Sequence, residues 1–268
     1  MKSVLFLFAM FVYFRLIFGS YLTWHFGRLV PYASELFSRE GMISNSQMNP
    51  TYGYIPSLLD TYDSPFNVQL LLITLTLLAL LFTIGVYRRS TACCLGYGWM
   101  ILLNRNVLIS NPGLAYVGWL LWACVILPPG EGRWKPTPGW EVPGWIYWGA
   151  WFLMAMGYTM SGLHKLQSPS WRDGSALRHV LEGPLAYDNW LRNWLLSTPP
   201  LFLRIQTWLS LTAEISFLFF GLFVHTRLVY WFAFLGLHLG ILCVINFMDL
   251  TLGVLMIHIV TFDPRWIR

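Results

Sequence analysis

The sequence predicts an all-α fold, a polytopic transmembrane helix bundle of about eight spans with short interfacial helices on its outer face. Three observations carry this. Of 268 residues, 56% are hydrophobic and only 11% are charged, against about 25% charged in an average soluble domain. The mean hydropathy is +0.55. Apolar runs near the length a helix needs to cross hydrocarbon, about 20 residues, recur along the whole chain. The expectation is one domain over 1–268, with no internal repeat and no appended soluble domain.

The first run, 3–25, begins like a signal peptide, with Lys2 ahead of an apolar stretch. Arg15 interrupts that stretch and no small-residue cleavage site follows before Trp24, so a retained first span is expected. Further spans are read at 68–87, 91–109, 113–128, 144–165, 201–224 and 227–247. An eighth run, 250–262, is short and lies between Asp249 and Asp263. It reads as a span, a re-entrant piece or an extension of the seventh. The 15 Trp and 13 Tyr cluster near the ends of apolar segments, as interfacial belts do. Cys93, Cys94, Cys124 and Cys243 all lie in apolar segments without C-x-x-C or His spacing. They read as core residues, and no metal site is expected.

The net charge is +5, with basic residues scattered through loops and never in a block. That gives little reason to expect nucleic acid as a partner and makes the cations orientation marks. Lys2, Arg88–Arg89, Arg133 with Lys135, Arg227, and Arg265 with Arg268 fall on one side of an eight-span arrangement. That side is expected to be cytoplasmic. Both termini are then inside, in the cell (inner) membrane, and 26–67 and 165–200 face outward.

Segment 165–200 reads as two short helices in the outer interface. Asp173 is expected to cap the first and Gly183-Pro184 to stop it, with Arg178 and Glu182 paired at i,i+4. The second, from Asp188 to Ser197, is expected to gather Trp190, Leu191, Trp194 and Leu195 on one side. Together with 26–67 these helices read either as a lid or as amphipathic connectors.

Charges at bilayer depth are costly and face protein or water. Arg15 and Glu214 are read as a structural ion pair. His238 is read as an imidazole bonded to a close neighbouring helix, with Gly236 and Gly240 at small-xxx-small spacing beside it; His258 sits in the last run. On the fifth span, Tyr158, Ser161, Gly162 and Lys165 recur at i, i+3, i+4 and i+7, which is one helix face. Lys165 stands where hydrocarbon gives way to water. It reads either as a snorkelling anchor or as a partly desolvated base. Asn104, Arg105, Asn106 and Asn111 cluster at the outer end of spans three and four, either to bind a polar head group or to form a solvated turn.

Taken in order, Arg15-Leu-Ile-Phe-Gly19, the Asn-rich stretch 104–111, Tyr158-x-x-Ser-Gly-x-x-Lys-Leu-x-x-x-x-Trp-x-x-Gly174, Glu214, His238 and Asp263-Pro264-x-Trp266 resemble the HTTM family. This is the transmembrane module shared with vitamin K-dependent gamma-carboxylases. The resemblance spans essentially the whole chain, and 158–174 is its most specific part. It implies that Lys165 matches the lysine that deprotonates vitamin K hydroquinone, and that His238 matches a histidine of a late span. His164 stands in place of a second lysine, and Asn111-Pro112 occupies the region of a further histidine. The large lumenal substrate-docking domain of the carboxylases has no counterpart in these 268 residues.

Three function classes follow. The first is an enzyme, a quinol-dependent carboxylase/oxygenase-like lyase, with Lys165 and His238 catalytic. Tyr158, Ser161, His164, Trp171, Asn104 and Asn111 would bind a quinol cofactor of vitamin K or menaquinol type. The second is an accessory for maturation or export of a secreted, toxin-type peptide, with that peptide or a redox protein as partner. The third is a structural subunit whose partners are membrane lipids. The orientation is directly testable. In a variant without native cysteines, Ser170→Cys should react with an impermeant thiol reagent on intact cells, and labelling only after permeabilisation would overturn the topology.

Overall fold

A computed structural model describes residues 2–49, 51–131, 134, 137 and 140–267, with the side chains of 2–10, 264 and 267 outside that description. Arg133, Lys135, Arg268 and the Lys2 side chain, counted above as orientation marks, lie outside the described residues. The regular elements described are helices, save one isolated bridge between Ala186 and Ile245. Contacts within the chain gather into two compact units, Met1–Pro143 and Gly144–Arg268.

The first unit contains α1 (Lys2–Leu29), α2 (Ala33–Phe37), α3 (Pro65–Thr83), α4 (Arg88–Arg105) and α5 (Pro112–Ile126). Helix α3 packs on α1, α2 and α4, and α4 packs on α5. Its sequence explains its bounds: Ser64 caps the Asn67 N–H, Pro65 opens the first turn, and the chain then runs apolar. Val68, Leu72, Leu75, Ala79 and Phe82 are buried at helical spacing. Phe66, Leu70, Ile73, Leu77 and Leu80 are exposed.

The second unit contains α6 (Gly144–Lys165), the short α7 (Pro169–Arg172), α8 (Ala176–Glu182) and α9 (Trp190–Ser197), then α10 (Pro200–Phe220), α11 (Val224–Val244) and α12 (Met248–Thr261). Helix α6 packs on α10 and α12, and α11 packs on both of those. Buried indoles tie the layers. Trp151 donates to the Thr261 carbonyl at 3.0 Å, and Trp231 to the His258 carbonyl at 3.1 Å.

All eight apolar runs are helical, and the eighth is a helix in its own right. Among the described residues, α3 and α11 are long and apolar enough to cross a membrane, by length and composition, and most of each lies open at the surface. Other readings are corrected. Only Cys124 is buried; Cys93, Cys94 and Cys243 are exposed, because they fall on the outer faces of their helices. An added Cβ at Gly236 or Gly240 meets nothing within 4 Å, so these glycines mark open surface and no helix crossing. Asp173 accepts from the Ser175 N–H in a turn, and Ser175 itself precedes α8 without a side-chain cap. Helix α9 starts after Asn189, whose side chain accepts from the Arg192 N–H. Its presumed single face divides: Leu191 and Leu195 pack against Leu181, Leu203 and Val244, while Trp190 and Trp194 stay exposed. The Arg178–Glu182 pair forms at 2.8 Å.

Arginines close several helix ends. The last carbonyls of a helix have no intrahelical donor, and a guanidinium supplies several N–H groups there. Arg88 is 4% exposed. It donates to the carbonyls of Cys124 and of Leu127 (3.0 Å) beyond α5, and pairs with Glu131 at 2.5 Å. Arg227 donates to the Leu222 carbonyl at 2.9 Å after α10, beneath the Trp148 ring. Arg15 donates to the Thr83 carbonyl at 3.4 Å and lies against Gly85, where φ is +77°. Truncating Arg88 strands the mostly buried Glu131 and two carbonyls. Arg88→Met should therefore lower stability by about 3 kcal/mol or more, whereas Arg178→Ala, at an exposed pair, should stay within about 1 kcal/mol. Thermal unfolding in detergent reads both.

Candidate functional site

The site is built where α6 meets α10. Gly162 makes the approach possible: a Cβ there would stand 2.9 Å from the Ile215 backbone nitrogen and 3.0 Å from the Glu214 Cβ. One turn earlier, the Thr159 hydroxyl donates to the Glu214 carbonyl at 3.2 Å and accepts the Leu218 N–H at 3.0 Å. These contacts seat Glu214, 3% exposed, opposite the last turn of α6. There Lys165 Nζ donates to Glu214 Oε1 at 2.5 Å. The same ammonium lies 4.5 Å from the Trp171 ring centroid, a cation–π distance. The Lys165 side chain keeps 27% of its surface accessible, so the pair is reached from outside at one end.

Below the pair lies an aromatic and imidazole layer. Tyr158 is stacked on Phe217 with ring centroids 5.0 Å apart and lies 4.1 Å from Phe234. On its other side stand His238 of α11 at 5.9 Å and His258 of α12 at 6.4 Å. Both imidazoles are buried. Glu214 Oε2, both ring nitrogens of His238 and Nε2 of His258 are buried and make no hydrogen bond among the described residues. Unsatisfied buried polar atoms are uncommon and call for a specific explanation. Near this site in sequence, Asp173 is fully exposed, and its hydrogen bonds from the Ser175 hydroxyl and N–H hold its carboxyl below the usual carboxylate range.

Of the site residues read from the sequence, the structure pairs Lys165 with Trp171 and Tyr158 with His238. Ser161 is half-buried and its hydroxyl makes no hydrogen bond among the described residues, while His164 is exposed. Thr159, one position away from the expected face, does the interhelical bonding. Its signal was the Ala155-x-x-x-Thr159 spacing of small residues. Of the expected Arg15–Glu214 pair, Glu214 is held by Lys165 within the second unit, and Arg15 donates to the Thr83 carbonyl within the first. Asn104 and Asn111 also belong to the first unit. Asn104 accepts from Thr51, and Asn111 accepts from the Gly113 and Leu114 N–H groups as the cap of α5. Arg105 binds the Ile43 and Ser38 carbonyls at 2.7 and 3.0 Å, and Asn106 the Leu36 carbonyl at 2.8 Å. Asn104, Arg105 and Asn106 thus fasten the 30–63 loop to the end of α4, while Asn111 serves the start of α5.

No family model, curated protein or solved structure matches the chain.

The close approach at Gly162 has a direct test. Gly162→Ala drives a methyl into backbone, so it should destabilise the protein by about 1–3 kcal/mol and weaken the Lys165–Glu214 contact. Gly236→Ala, in open space, should be neutral or stabilising. Melting temperatures of the two variants, side by side, decide it.

Proposed function

We propose that the chain is an HTTM-type integral membrane protein of eight spans, α1, α3–α6 and α10–α12, whose second unit moves a proton to and from a lipid quinol or related membrane-soluble hydroxyl compound. The observation that carries the reading is the Lys165–Glu214 contact, solvent-accessible at its lysine and buried at its carboxylate. A lysine amine can act as a general base only when it can shed its proton. Glu214 is the receiver at hand. Passing the proton from Nζ to the carboxylate across that contact leaves a neutral amine beside a carboxylic acid. The amine lone pair then takes the substrate's hydroxyl proton: the O–H bond breaks, the N–H bond forms, and the oxyanion stays beside the new ammonium. Tyr158, with Ser161, orients the substrate, Trp171 covers the ammonium, and His238 polarises an oxygen. A carboxylase/oxygenase-like reaction of vitamin K type is the use to which the resembled family puts such an oxyanion. Orientation with both termini inside the cell membrane places Lys165 at the outer face.

The same pair also joins α6 to α10, and that favours a second reading, a non-catalytic membrane subunit held together by it. The two part on one conservative change. A guanidinium keeps the charge and the contact to Glu214 but cannot act as a base at neutral pH. Lys165→Arg should therefore retain thermal stability and lose at least 100-fold in quinol turnover, in line with general-base contributions of about 10²–10⁴. Extraction of the detergent-purified protein followed by mass spectrometry should find a quinone. A fully active Lys165→Arg variant overturns the catalytic reading.

A further inference from the structure

His258 is 1% exposed and its Nδ1 lies 3.0 Å from the Val254 carbonyl. A carbonyl only accepts, so Nδ1 carries the proton and donates. Nε2 is then a lone-pair acceptor, fixed in tautomer, and it makes no hydrogen bond among the described residues. His238 is 5% exposed and both its nitrogens are likewise unbonded. The two ring centroids are 6.3 Å apart. That is too far for a direct bond between rings, yet two hydrogen bonds of about 2.8 Å meeting at a tetrahedral oxygen set their nitrogens about 4.6 Å apart, a separation that rings with these centroids can present. A neutral His238 offers an N–H where His258 offers a lone pair.

We infer that His238 and His258 together bind one buried hydroxyl group, which accepts from the His238 N–H and donates to His258 Nε2. A bare carbonyl cannot complete both bonds, because it brings no proton for His258; a hydroxyl does both. The group is either a water or the hydroxyl of a small organic molecule lodged between α11 and α12. The inference stands on these two rings alone and holds whether or not Lys165 acts as a base. Its consequence is that the layer beneath the Lys165–Glu214 pair is polar and occupied.

The test uses the unmutated, full-length protein labelled with ¹⁵N-histidine in detergent, with His238→Gln and His258→Gln serving only to assign signals. His258 Nε2 should resonate as a hydrogen-bonded acceptor. A cross-peak to exchangeable water protons identifies water. A shift that survives until organic extraction, with a hydroxyl compound recovered by mass spectrometry, identifies the organic source. A free-acceptor resonance before any extraction overturns the inference. A double-mutant cycle supplies an independent readout. With a shared hydroxyl, His238→Phe and His258→Phe each strand the group on the remaining ring, so the double variant should lose less in melting temperature than the two singles summed. Additive losses also overturn it.

Discussion

The second unit depends on how near α6 comes to α10. Helix axes usually stand about 8–10 Å apart, at a distance set by the side chains between them. At Gly162 nothing stands between them but hydrogen, and the Thr159 hydroxyl reaches the facing backbone. Everything else at the site follows from this. The 2.5 Å contact between Nζ and Oε1 needs Glu214 under the last turn of α6. The Tyr158 ring, one turn deeper, meets Phe217, Phe234 and the two imidazoles only because the helices are drawn together there. A wider crossing would leave a buried carboxylate without its cation, which is among the most costly arrangements available to a folded chain.

The first unit solves a different problem. Its loop of more than thirty residues between α1 and α3 holds little regular structure, and such loops are otherwise mobile. Here the polar end of α4 holds it. Arg105 and Asn106 occupy the carbonyls of Ile43, Ser38 and Leu36, and Asn104 takes the Thr51 hydroxyl. Cationic and amide groups that look like ligand binders in a sequence can equally be satisfied by backbone, and backbone acceptors leave no mark in a residue string.

Helix positions were the legible part, since apolar runs bounded by Pro, Gly and Asn state where helices lie. The face carrying Tyr158, Gly162 and Lys165 was legible too, because seven residues make nearly two turns. The partner of Lys165 was not. Glu214 is forty-nine positions away, and no local pattern says which cation it will meet. The pairing with Arg15 followed from depth in the bilayer, a criterion that both cations nearly meet. His258 was noticed as a buried histidine but not joined to His238, because α11 and α12 are separate helices whose rotation sets whether their rings face. The glycines beside His238 misled for the converse reason: small residues permit a crossing and do not require one.

The arginine-closed helix ends bear on the order in which the chain is assembled. Arg88 completes the helix that directly follows its own, so α4 and α5 reach their finished hydrogen bonding as a hairpin, within about forty residues of chain. Arg227 closes the helix just before its own in the same way. Lys165 has no such neighbour. When α6 leaves the ribosome, Glu214 has not yet been made, and the amine is without that carboxylate through three short helices until α10 arrives. Local closures are quick and long-range ones slow. The emerging second unit thus keeps the Lys165 amine apart from its counter-charge until the helix that carries Glu214 is in place.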